Sequence, residues 1–146
     1  MSILNRQARF DYQLLETFEA GLVLTGSEVK SIRAGQANMN DAYAKIKNGE
    51  VWLNNLHIAP YSQGRQENYE PTRPRKLLLH KKEVVQLTSK LQEQGLSLIP
   101  TKIYSTHNHI KVELALARGK KKYDKRESIK RKETAREIGR KLRTKQ

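Results

Sequence analysis

The chain has 146 residues, 36% of them hydrophobic, a mean hydropathy of -0.81, and a net charge of +14 from 29 Lys and Arg against 15 Asp and Glu. That length suits one domain with a lean core, and no run approaches the roughly 20 apolar residues of a membrane span. The start, Met1-Ser2-Ile3-Leu4-Asn5-Arg6, lacks the apolar stretch of a secretory signal. With no cysteine, a disulfide framework, thiol chemistry and Cys-ligated zinc are excluded, and a cytoplasmic protein is expected.

Taken in chain order, residues Tyr12 to Leu24 read as a strand. Tyr12, Leu14, Phe18, Ala20, Leu22 and Leu24 fall on one face at period two, and Gly21 is suited to a bend. Thr25 and Glu28 have capping-box spacing, and Leu24 with Val29 has that of a hydrophobic staple. A short helix is therefore expected, with Val29 and Ile32 as its buried edge and Gly35 as its stop. The segments 42–47 and 50–59 flank Asn48-Gly49, a strong hairpin signal because both residues accept positive φ. A phase slip at Asn54-Asn55 predicts a bulge. Pro60 to Arg75 reads as a long polar loop, and Leu77-Leu78-Leu79 as a short buried strand. Lys81–Gln94 reads as a helix, with Val84, Leu87 and Leu91 on one face and Gly95 as the stop. Residues 98–104 form a weaker strand, placed at an edge by Pro100. After a turn at His107-Asn108, Ile110, Val112, Leu114 and Leu116 alternate cleanly with polar or small residues. The fold class expected is mainly β with added helices. A small closed antiparallel barrel of the OB type fits best, because closure removes strand edges.

The charge is unevenly placed. Residues 118–146 carry a net +10, most of the total, and solubility alone does not require that concentration. Two units are therefore expected: a barrel over 1–117 and a basic tail over 118–146. The run Arg118-Gly119-Lys120-Lys121-Lys122-Tyr123-Asp124-Lys125-Arg126 has like charges and no apolar partner, so it should not fold alone. Beyond it, Asp124 can cap, and Glu127–Arg131 and Glu137–Lys141 are spaced as helical ion pairs. The tail is thus expected to be disordered when free and helical when bound. A basic arm of this kind points to nucleic acid, with Tyr123 suited to stacking on a base.

Catalysis finds little support. His107-Asn108-His109 lacks a nearby cluster of Asp or Glu that would complete the site of a metal-dependent nuclease, and no phosphate-loop, nucleophile-elbow or zinc-protease motif occurs. Asp11, Glu16 and Glu19 show no paired-carboxylate logic but are able to accept hydrogen bonds from nucleobases or a 2′-OH. Trp52 suits either the core or the outer face. Tyr61 and Tyr69 lie in the polar loop, where stacking is one role open to them. A general RNA chaperone or ribosomal protein remains the alternative binding class.

Several segments then add up. Asn5-Arg6-Gln7-Ala8-Arg9, Phe18-Glu19-Ala20-Gly21, Glu28-Val29-Lys30-Ser31, Arg33-Ala34-Gly35, Lys76-Leu77-Leu78-Leu79, and Gly119-Lys120-Lys121 followed by Asp124-Lys125-Arg126 occur in this order. The set resembles the SsrA-binding (SmpB) family over nearly the whole chain. The resemblance implies an OB-fold barrel that binds the tRNA-like domain of tmRNA without a cofactor or small-molecule substrate, as a monomer. It also implies a tail that enters the decoding centre of the 30S subunit, against 16S rRNA, and the empty mRNA channel of stalled ribosomes. Asn5, Glu19, Leu78 and His80 match positions implicated in tmRNA binding, with Arg6, Arg9, Lys30, Arg33 and Lys76 in or beside the same segments and Tyr12 shortly after the first of them. Arg118, Gly119, Lys120, Lys121, Tyr123, Asp124, Lys125, Arg126, Lys130 and Arg131 are the ribosome-facing tail. Departures are His80, where others carry Asn, Tyr123, where some carry His, and Gln7, where a basic residue is common.

Overall fold

The computed structural model describes residues 1–61 and 68–120. In chain order the elements are β1 (Ser2–Leu4), α1 (Arg6–Asp11), β2 (Tyr12–Leu22), α2 (Gly26–Arg33), β3 (Ala37–Asn38), β4 (Tyr43–Lys47) and β5 (Glu50–Asn54). They continue with β6 (His57–Ile58), β7 (Arg75–Leu78), α3 (Lys81–Gln94), β8 (Ser97–Thr106) and β9 (His109–Gly119). The strands follow the order β1-β8-β4-β5-β7-β2-β9, and β9 pairs back onto β8. Strands β8, β4, β5, β7, β2 and β9 thus form a ring, with every pairing antiparallel. The fold is mainly β with helices added, as expected.

Alternation builds the interior. Ile110, Val112, Leu114 and Leu116 of β9 all point inward to meet Phe18, Ala20 and Leu22 of β2, Val51 and Leu53 of β5, and Leu77 of β7. Ile32 of α2 and Leu87 of α3, both fully buried, join the same core. The helix signals act as read. Thr25 and Glu28 complete a capping box around α2, and Gly35 and Gly95 take positive φ after α2 and α3. Asn48 (φ +53°) and Gly49 (φ +75°) make the β4–β5 turn, and His107 (φ +47°) and Asn108 (φ +65°) the β8–β9 turn.

The sequence reading names no counterpart of β1, α1 or β3, and the structure departs from it in five further places. Strand β2 ends at Leu22, and its register on β9 slips between Leu14 and Glu16. Because side chains alternate, that slip exchanges faces. Tyr12 and Leu14 therefore pack under α1 with Ala8, Ile99 and Ala117, apart from the main core. At Asn54-Asn55 the strand breaks rather than bulges: Asn55 takes φ +62°, and β6 leaves to pair with β3. Both halves stay buried through Val51, Leu53, Leu56 and Ile58, which is why the phase slipped. Strand β7 spans Arg75–Leu78, so Leu77 is inward and Leu78 is 54% exposed.

Pro100 does not mark an edge. It lies within β8, beside the register slip on β9, between the stretch that meets β4 at Leu98 and the stretch that meets β1 at Lys102–Tyr104. A residue without an N–H fits that gap. Finally, β9 continues past residue 117. Arg118 pairs with Gln13, Gly119 with Tyr12, and the Lys120 N–H donates to the Asp11 carbonyl at 2.9 Å. The described part of the tail therefore stays paired with the ring, and Lys120 lies beside the end of α1. No helix among the described residues is long and apolar enough to cross a membrane.

Candidate nucleic-acid interface

Residues far apart in sequence meet on the outer face of β8, β9, β2 and β7. Register places Glu19 opposite Glu113, and Tyr104 opposite Lys111. The Lys111 ammonium lies 2.6 Å from a Glu19 oxygen, and the Tyr104 hydroxyl donates to the other. These two donors, Lys111 first, hold the exposed Glu19 carboxyl below the usual carboxylate range. Burial, and then the Glu19 carboxylate, push the Tyr104 phenol up to about 12, so both groups keep these charge states at neutral pH. Glu113 accepts from the Thr101 hydroxyl at 2.7 Å.

Two residues beyond Glu19, Gly21 lies opposite Leu78. A Cβ on Gly21 would sit 3.4 Å from the Leu78 Cβ, so the glycine seats Leu78 closely against β2 while leaving its side chain outward. An exposed carboxylate with an ordered hydrogen-bonding frame thus stands beside an exposed leucine. That pairing suits polar contacts to a base edge or 2′-OH next to an apolar ribose or base surface.

Asn5 is placed differently. It is buried and caps α1: its Oδ1 accepts from the Ala8 N–H at 3.3 Å, its Nδ2 donates to the Pro100 carbonyl at 2.8 Å, and its N–H donates to the Thr101 carbonyl at 2.9 Å. It joins α1 to β8 next to the Thr101–Glu113 pair. Arg6 and Arg9 are exposed on α1, whereas Tyr12 is half-buried beneath that helix. His80 is exposed at the N-cap of α3, where its N–H donates to Glu83 at 3.3 Å.

Lys30 and Arg33 are exposed on α2, and the Lys30 ammonium lies 5.5 Å from the centre of the Tyr61 ring. A cluster that the sequence reading missed holds that helix in place. Glu28 (1% exposed) faces Arg75 (0%). Arg75 Nε donates to Glu28 at 2.7 Å, Nη2 to the Pro71 carbonyl at 2.9 Å and the Tyr69 hydroxyl at 3.1 Å, and Nη1 to the Leu56 carbonyl. Arg73 adds a further ion pair to Glu28. Burial alone would raise the Glu28 carboxyl. Hydrogen bonds from Arg73, the Thr25 N–H and Arg75 outweigh it and hold the carboxyl at about 2. Tyr69 is committed here too, its hydroxyl 3.0 Å from the Ile58 carbonyl, so the stacking role entertained for it gives way to a structural one. One signal was available: Arg75 shares the parity of inward Leu77.

Of the tail residues, Arg118 and Gly119 are exposed in β9 and Lys120 follows it. Lys121, Tyr123, Asp124, Lys125, Arg126, Lys130 and Arg131 lie outside the described residues, as do the helical spacings beyond them. His107 and His109 are exposed at the β8–β9 turn, and among the described residues no group of three His, Asp or Glu could hold a metal ion.

Comparison with known proteins agrees with this arrangement. The family model described as SmpB protein matches residues 2–144. The SsrA-binding protein of Desulforudis audaxviator is 57% identical over 141 residues, covering 97% of this chain and 92% of that protein. The SsrA-binding protein of Carboxydothermus hydrogenoformans is 55% identical, with coverage of 95% and 93%, and that of Staphylococcus aureus strain Newman 54%, with 93% and 88%. A solved structure described as "tmRNA-SmpB: a journey to the center of the bacterial ribosome" superposes with a TM-score of 0.70 at 47% identity, covering 88% of this chain and 94% of that one. On the strength of a match that runs from the first strand through the basic tail, this chain belongs to the SmpB family of SsrA-binding proteins.

Proposed function

We propose that this protein binds the tRNA-like domain of tmRNA, delivers it to stalled ribosomes and enables trans-translation, in which the stalled peptide is tagged and the ribosome freed. The observation that carries this reading is the outer strip where Glu19, framed by Lys111 and Tyr104, stands beside Leu78. The Gly21–Leu78 pairing supports this reading, since it sets positions 19 and 78, singled out through the family resemblance, on the same outer face of neighbouring strands. The ring of strands is read as an OB-fold barrel that acts in the cytoplasm as a non-enzymatic RNA-binding module. It recognises a folded RNA by shape, phosphates and a few polar contacts.

The basic tail is read as the ribosome-facing part, entering the decoding centre and the empty mRNA channel. Its helical form in that setting is inferred from its caps and ion-pair spacing alone. A tail that needs the mRNA path cannot bind where mRNA fills it, so occupancy reports a stall. Its described start, Arg118 to Lys120, lies beside α1, where Arg6, Arg9 and Arg118 add exposed positive charge.

The test compares the full chain with a chain ending at Lys120, which keeps all of β9. Binding to tmRNA and to an ordinary tRNA is measured at two salt concentrations, alongside peptide tagging on stalled ribosomes. Both proteins are expected to prefer tmRNA, and only the full chain to support tagging. The full chain should show the steeper salt dependence, because it neutralises more phosphates. Equal binding to both RNAs, lost with the tail, would instead identify a general basic RNA binder.

A further inference from the structure

Trp52 is the single tryptophan of the chain and stands in the middle of β5. Register sets it between Lys45 of β4 on one side and Lys76 of β7 on the other. Directly opposed residues share a face, so Lys45, Trp52 and Lys76 form a row across three strands on the outside of the ring, away from inward Val51 and Leu53. Lys47 and Glu50 form the next row.

An open cleft of about 670 Å³ lies over this surface, lined by Lys45, Lys47, Asn48, Glu50 and Trp52 among others. The Lys76 ammonium lies 3.4 Å from Glu50 and offsets its charge. Lys45 and Lys47 are exposed and face no carboxylate within ion-pair distance among the described residues. The indole is half-buried, so the sheet holds it in place while part of it borders the cleft.

A fixed aromatic ring gives every nucleobase a surface to stack on, and flanking lysines suit the phosphates on either side. We propose that this cleft binds an unpaired stretch of RNA, with one base stacked on Trp52 and the adjoining phosphates on Lys45 and Lys47. The site is additional to the Glu19–Leu78 strip. Its ligand chemistry is single-stranded RNA, available from either tmRNA or ribosomal RNA.

Because the chain has one tryptophan, its emission reports this site directly. The full chain is titrated with a single-stranded RNA hexamer, with tmRNA and with the small ribosomal subunit. Trp52 emission is followed, and binding is read independently by anisotropy of labelled RNA. Saturable quenching that tracks hexamer binding is expected. Trp52→Leu should weaken binding about 5- to 150-fold, and Trp52→Phe should recover most of it, because Phe keeps a stacking face that Leu lacks.

Lys45→Glu with Lys47→Glu, at exposed positions, should sharply weaken the binding read by quenching without moving the thermal midpoint, and lower its salt slope by about 1.4. Quenching by tmRNA or by the small subunit assigns the natural source. Bound hexamer with unchanged tryptophan emission would overturn the proposal, as would equal affinity in the Trp, Phe and Leu forms. Glu19→Gln and Leu78→Ala should leave hexamer quenching intact, so failure of this site and failure of the tmRNA reading are told apart.

Discussion

Replacing Glu28 with Gln should be among the most damaging single-atom changes in the described structure. The carboxylate is 1% exposed and faces Arg75 at 0%, with Arg73 beside it. Gln keeps the shape and an acceptor for the Thr25 N–H, but it turns one acceptor into an N–H₂ group aimed at guanidinium donors. It also leaves the Arg75 charge buried without compensation. Removing one partner of such a pair costs about 3–5 kcal/mol.

The proton linkage gives a similar magnitude. A carboxyl held at about 2, from an ordinary value of 4.5, corresponds to roughly 3 kcal/mol of stability. Since the folded-state value is lowered, that stability is present above pH 4.5 and is lost as pH falls toward 2. Urea unfolding at pH 7 should therefore show Glu28→Gln destabilised by about 3 kcal/mol, a large share of the 5–15 kcal/mol typical of a domain. The native protein should lose a similar amount between pH 5 and 2, and the variant much less over the same range. In a double-mutant cycle, Arg75→Met in the Glu28→Gln background should cost far less than Arg75→Met alone. A loss under about 1 kcal/mol for Glu28→Gln, or strict additivity with Arg75→Met, would refute the reasoning.

Two contrasts extend the logic. Leu78→Ala, at a side chain 54% exposed, should leave stability within about 0.5 kcal/mol while weakening tmRNA binding. Asn5→Ala should lower stability by about 1–2 kcal/mol, because it removes the α1 cap and the bond to the Pro100 carbonyl; equal unfolding midpoints for the two variants would contradict these roles. Gly49→Ala should cost about 1 kcal/mol in thermal or urea unfolding, since the residue holds φ +75° in the β4–β5 turn; no change would mean that the turn relaxes without cost.

Local chemistry makes much of the chain legible from its residues alone. The Asn48-Gly49 turn, the Thr25–Glu28 capping box, the stop at Gly95 and the alternation of Ile110 to Leu116 each depend on neighbours a few residues apart. Such features survive in the fold because nothing distant competes with them. The ordered set of segments from Asn5 to Arg126 also carried the family resemblance, and through it the expectation of tmRNA.

What failed was whatever depended on a distant partner. A one-residue slip against β9 sends Tyr12 and Leu14 to a different face from Phe18, and no periodicity within β2 reveals where its partner's register shifts. Pro100 lies where β8 changes neighbours, a matter of what β4 and β1 do rather than of β8 itself. Arg75 looked like loop charge because its acceptors come from residues 28, 56, 69 and 71. The sequence by itself therefore determined most of the elements from β2 onward, though not β1, α1 or β3, together with the family and the lopsided charge. Only the tertiary structure decided which polar residues are buried supports, such as Asn5, Glu28 and Arg75, and which side chains, such as Glu19, Leu78 and Lys45, face outward. Burial of a polar group is set by whether distant chain segments supply its hydrogen bonds, and that supply exists only once the ring has closed.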